Sequence, residues 1–70
     1  MTSYSEIREA QNKILEALRR EGGELSPSEI VLSTRLPHDL VDWAVNSLKE
    51  KGRVTVDDQK DLGIELVHLA

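Results

Sequence analysis

One short segment, LSPSEI at residues 25–30, constrains the fold more than any other part of the chain because it marks the start of a helix. We expect Ser26 to be the N-cap residue, Pro27 to take the first helical position and Glu29 to complete a capping box. The flanking apolar residues stand where a hydrophobic staple forms. The segment therefore predicts a short helix over residues 27–33.

A longer helix follows almost at once. Four apolar residues recur at i, i+3, i+4 and i+7 and form a single stripe: Val41, Ala44, Val45 and Leu48. Pro37 can open this helix, and Gly52 can end it with a left-handed cap. The pattern predicts a helix over residues 37–51. A turn of about three residues joins the two helices, so they must cross steeply, which is helix-turn-helix geometry.

The segments on either side complete the outline. Ser3 and Glu6 have capping-box spacing, and an apolar stripe with helical spacing continues as far as Gly22, which predicts a first helix over residues 5–21. After the long helix the apolar residues alternate instead. This change of period predicts a β-hairpin that pairs residues 53–57 with 62–68.

Apolar residues occur on both faces of the predicted second hairpin strand. Alternation predicts that Ile64 and Leu66 face the core and that Val67 and Leu69 face outward with Glu65. Two outward apolar residues, together with the long first helix, motivate the prediction of a homodimer. The full predicted core is Ile7, Ile14, Leu18, Ile30, Leu36, Val41, Val45, Leu48, Val54, Ile64 and Leu66.

Length and composition limit the possible functions. Seventy residues allow one small domain, residues 1–70, with few apolar side chains to spare for an enclosed active site. There is no cysteine, and neither a signal peptide nor a membrane-spanning segment is predicted, so we expect a soluble, cytoplasmic protein. His38 and His68 do not have ligand-like spacing. No enzyme activity, metal or cofactor is therefore predicted.

The predicted order of helix, short helix, turn, long helix and hairpin resembles the winged helix-turn-helix superfamily. The resemblance covers about residues 5–69 and depends on residues 26–30, 34–37 and 48–56. It implies an α+β fold, mainly α, with three helices followed by a β-hairpin wing. One departure is Arg35, which stands where such turns often carry glycine.

The resemblance also implies a function. In winged helices the long helix enters the DNA major groove, so the chain resembles a DNA-binding transcription regulator that uses the helix at 37–51 on double-stranded DNA. Candidate base contacts are Asn46 and His38, and Arg35, Lys49 and Arg53 are candidate phosphate contacts. The net charge of −4 and the acids of the long helix oppose this interpretation.

An alternative function uses the same helix face. Leu40 and Trp43 are neighbours at i, i+3, and Asp39 and Asp42 surround them. If Trp43 is exposed, this face suits a protein–protein interaction adaptor that does not bind DNA. If Trp43 folds back over the hairpin or the first helix, it belongs to the core instead.

Overall fold

Three helices and a three-stranded antiparallel sheet form the fold in a computed structural model of the chain, which describes residues 3–59 and 64–70. The elements are α1 (Tyr4–Arg20), β1 (Glu24–Leu25), α2 (Pro27–Thr34), α3 (His38–Glu50), β2 (Val54–Gln59) and β3 (Ile64–Leu69). The three predicted helices are confirmed to within one residue at each end. None of the described helices is long and apolar enough to cross a membrane.

Side-chain caps fix the starts of α1 and α2. The Ser3 hydroxyl accepts a hydrogen bond from the Glu6 N–H at 3.3 Å. At α2 the predicted capping box is present in both directions. The Glu29 N–H donates to the Ser26 hydroxyl at 3.2 Å, and the Ser26 N–H donates to the Glu29 carboxylate at 3.1 Å. Two backbone donors that the helix leaves unpaired are thereby satisfied, which sets the first turn of α2.

The turn between α2 and α3 has a strained centre. Arg35 caps α2 in the left-handed conformation, with φ 59° and ψ 24°, and its N–H donates to the Val31 carbonyl at 2.8 Å. Pro37 was predicted to be the first residue of α3, but its backbone is extended, so it is the N-cap and the helix begins at His38. Its carbonyl still accepts the Val41 N–H at 3.0 Å. Gly52 follows α3 with the predicted left-handed φ of 72°.

The sheet corrects the predicted hairpin. Its strand order is β1-β3-β2, so β3 is central, and β1, which is too short to show an alternating pattern, was not predicted. β2 runs from Val54 to Gln59, two residues beyond the predicted end of the first hairpin strand at residue 57. Residues 60–63, which include the first two residues of the predicted second strand, lie outside the described part of the chain.

The predicted parity of β3 was wrong. Val67 is fully buried and Leu69 packs against the core, whereas Leu66 is only half-buried. The cause is the pairing with β2, which sets Val67 opposite Val56 and Leu69 opposite Val54, on the core side of the sheet. The two outward apolar residues that motivated a homodimer are therefore not outward. The homodimer itself stays a prediction.

The core lies between the helices and the inner face of the sheet. Seven of the predicted core residues are buried: Ile14, Leu18, Ile30, Val41, Val45, Leu48 and Val54. Leu36 is half-buried against this cluster, and Ile7 is half-buried. The side chain of Ile64 lies outside those that the structure describes. Packing α3 into this core leaves one side of the helix free.

Candidate nucleic-acid interface

The free side of α3 consists of two strips. At 100° per residue, His38, Asp42 and Lys49 lie on the edge of α3 next to the hairpin, with Asn46 beside them. Leu40, Trp43 and Ser47 lie on the edge next to α1. The polar strip thus faces β2 and β3, and the more apolar strip faces α1.

A groove of about 280 Å³ separates the polar strip from the hairpin. Its lining residues come from α2, α3, β2 and β3: Pro27, Asp42, Val45, Asn46, Lys49, Val56, Glu65 and Val67. Valine side chains form its apolar part, and charged side chains approach from both walls. Two carboxylates, Asp42 and Glu65, stand against one ammonium, Lys49. The groove therefore brings two predicted DNA contacts, Asn46 and Lys49, next to acids that repel phosphate.

His38 and Asp42 form a pair on the first turns of α3. The distance between His38 Nδ1 and Asp42 Oδ2 is 3.4 Å, and both side chains are more than half exposed. Such an exposed pair contributes little to stability. The pair places the His38 imidazole beside one of the two carboxylates at the start of α3. In the described parts of the chain, no three His, Asp or Glu side chains are placed to hold a metal ion.

The two predicted arginine contacts lie at opposite ends of α3. Arg35 precedes the helix in the left-handed turn, and Arg53 follows it at the start of the hairpin. Both are exposed. A 13-residue helix is about 20 Å long at 1.5 Å per residue. The free face of α3 therefore has a cation near each end and acids along the first turns between them.

The structure separates the two residues of the predicted apolar anchor. Trp43 is 56% exposed, so it does not cap the core, and it borders a shallow depression with Asn46, Ser47 and Glu50. Leu40 is half-buried and packs against the core cluster. An adaptor surface on this face would therefore have a single large apolar side chain at its centre.

Sequence reasoning missed two residues near this face. Glu65 lines the groove, but the wrong parity of β3 had turned it away from α3. Gln11 of α1 donates from Nε2 to the Ser47 hydroxyl on α3 at 2.7 Å. A polar residue on the apolar stripe of α1, beside Ile7, Ala10 and Ile14, was the available signal for Gln11. No comparable local signal existed for Glu65, because register decides where it points.

These elements define a winged helix-turn-helix domain: α2 and α3 joined by a tight turn, supported by α1 and followed by a β-hairpin. A solved structure with the same fold is BpsR of Bordetella bronchiseptica, described in a study of the mechanism by which 6-hydroxynicotinic acid regulates its DNA binding. The TM-score is 0.78 at 28% sequence identity over 87% of this chain. The chain spans 42% of the length of the BpsR chain. No protein-family model and no curated protein sequence matches this chain.

Proposed function

We propose that the chain is a DNA-binding module of the transcription-regulator type, which reads double-stranded DNA with the free face of α3. The observation that carries the proposal is its likeness, in fold and in sequence, to BpsR, whose DNA binding is regulated. The position of α3 adds support. A helix packed by one stripe, with its polar strip beside a hairpin, suits insertion into a major groove about 12 Å wide.

Each predicted contact residue has a chemical role in this proposal. Asn46 is exposed in the middle of α3, and its amide can donate to and accept from the edge of adenine. His38 lies one helical turn before Asp42 and contributes a second polar contact to bases. Lys49, Arg35 and Arg53 contact phosphates, which fix the position of the module on the duplex.

The acids on the same face have a consequence for specificity. Asp39 and Asp42 are exposed on the first turns of α3, and each repels phosphate and the acceptor atoms of guanine. A carboxylate can instead accept a hydrogen bond from the amino group of cytosine. Non-specific binding, which depends on phosphate contacts, is therefore expected to be weak in this module. Affinity must come mainly from a matching base sequence.

A protein-binding function is the second candidate, and the exposure of Trp43 is the observation that favours it. Asp39 and Asp42 would then meet a basic partner, and Trp43→Ala would weaken that complex by about 2 kcal/mol or more. The half-buried position of Leu40 counts against it, because one anchor residue remains where two were expected. DNA binding is the better supported function.

Selection from a random-sequence duplex library tests the proposal, followed by titration of the enriched duplex at low and physiological salt. We expect one duplex sequence to be enriched. The affinity of the protein for that duplex should fall as the salt concentration rises. Asn46→Ala should lower the preference for that sequence, whereas Asn12→Ala on α1 is a control with the same chemical change. If no duplex binds even at low salt, the proposal of DNA binding is wrong.

A further inference from the structure

A partly buried hydrogen bond joins α1 to the helix that we propose reads DNA. Gln11 is 7% exposed and is the one buried polar side chain in the described parts of the chain. Its Nε2 donates to the Ser47 hydroxyl at 2.7 Å, at the short end of the usual range. Ser47 lies directly after Asn46 and one helical turn after Trp43. The Gln11–Ser47 bond therefore lies next to Asn46 and Trp43, which are exposed on the free face of α3.

The rest of the α1–α3 contact is not directional. The other buried residues of these two helices are all apolar: Ala10, Ile14, Leu15, Ala17 and Leu18 on α1, and Val41, Ala44, Val45 and Leu48 on α3. Apolar burial depends on area and hardly at all on angle. Among the described residues, Gln11 and Ser47 make the one side-chain hydrogen bond between the two helices.

A small rotation of α3 has a large effect at its surface. With side chains a helix has a radius of about 5–6 Å, so a rotation of about 20° moves an outward side chain by about 2 Å. A hydrogen bond tolerates only a few tenths of an ångström in length. Close apolar packing already limits such a rotation, and the Gln11–Ser47 bond adds a restraint that depends on distance and direction.

We infer that Gln11 is a positioning residue for α3: its bond to Ser47 sets the rotation of the helix about its own axis, and with it the direction of Trp43 and Asn46. The consequence for DNA selectivity rests on the proposed function. The geometric part does not, because Trp43 is the only tryptophan in the chain and reports on the rotation without DNA.

The test compares the parent with Gln11→Met/Ser47→Ala, which replaces both partners by apolar groups and leaves no buried polar atom unpaired. The matched control is Asn12→Met/Ser28→Ala, which also replaces an amide side chain by methionine and a serine by alanine, at exposed positions. Three quantities are measured: the thermal melt, the emission and acrylamide quenching of Trp43, and the ratio of affinities for the library-selected and a scrambled duplex.

We expect the double variant to melt cooperatively, with shifted emission and quenching of Trp43 and an affinity ratio lower by roughly tenfold, the loss of about one base contact. The control and Ser47→Thr, which keeps the hydroxyl, should match the parent. Unchanged Trp43 signals and an unchanged ratio would overturn the inference. If the double variant does not fold, Ser47→Ala alone decides by the same two readouts. If the parent selects no duplex, the proposed function fails, and the Trp43 signals still decide the positioning role.

Discussion

Asp58 lies directly opposite Glu65 in the antiparallel pairing of β2 with β3. Like charges at facing positions repel each other and weaken the pair. By the alternation of the strands, both side chains lie on the face of the sheet that carries Val56 and Val67. The hairpin of this domain therefore presents negative charge to the groove beside α3, where a hairpin that follows phosphates would present cations.

Replacing Glu65 by glutamine should strengthen both the fold and duplex binding. Removal of the repulsion is expected to raise the free energy of unfolding by roughly 0.2–1 kcal/mol, measured by chemical denaturation. Affinity for duplex at low salt should rise, because one negative charge leaves the groove. Glu16→Gln removes the same charge from α1. Equal gains in the two variants would mean that net charge, and not the position of Glu65, is responsible.

Truncation of Leu48 to alanine should largely unfold the domain. Leu48 is 2% exposed, and a buried Leu→Ala change costs about 2–5 kcal/mol, comparable with the net stability of about 3–5 kcal/mol expected for so small a core. Leu32→Ala is the matched control, because Leu32 is 79% exposed on α2 and should tolerate the same change. Circular dichroism melts measure both. A parent-like melt for Leu48→Ala would contradict the packing described here.

Substitution of Arg35 should separate stability from binding. The left-handed backbone of Arg35 costs a non-glycine residue about 1–2 kcal/mol. Glycine removes this strain, but its greater conformational freedom in the unfolded chain offsets part of the gain. Arg35→Gly should therefore raise the free energy of unfolding by up to about 1 kcal/mol and weaken duplex binding. Arg35→Ala loses the charge and keeps the strain, so it should weaken binding equally without the gain in stability. Denaturant titration and duplex titration measure the two effects.

Lys49 should contribute about one phosphate contact. We expect Lys49→Ala to reduce the slope of log affinity against log salt concentration by about one, because one fewer counterion is displaced. Lys13→Ala removes the same charge from α1, where Lys13 Nζ lies 3.9 Å from Glu9 Oε1. Its slope should equal that of the parent. A slope unchanged by Lys49→Ala would place the phosphate contacts elsewhere.

The helices were predictable because their signals are local. The capping box at Ser26 and the stripe from Val41 to Leu48 contain the information that sets α2 and α3. The sheet was less predictable because its signals are not local. Val67 and Leu66 offer equal apolar content on opposite faces, and only the pairing with β2 decides between them.

The candidate site divides in the same way. Its residues on α3 follow from helical periodicity, which separates the buried stripe from the free face. The partners of that face come from other elements: Glu65 from β3 and Gln11 from α1. Their positions depend on strand register and on helix packing, neither of which a single sequence specifies.

The central place of β3 also determines the order in which the domain can assemble. β1 and β2 both pair with β3, which comes last of the three in the chain, so neither outer strand has its partner until β3 is made. The groove beside α3 is lined by Glu65 and Val67, so it forms only once β3 is in place. A ribosome-bound chain that stops short of β3 would contain α3 but would lack one wall of this groove.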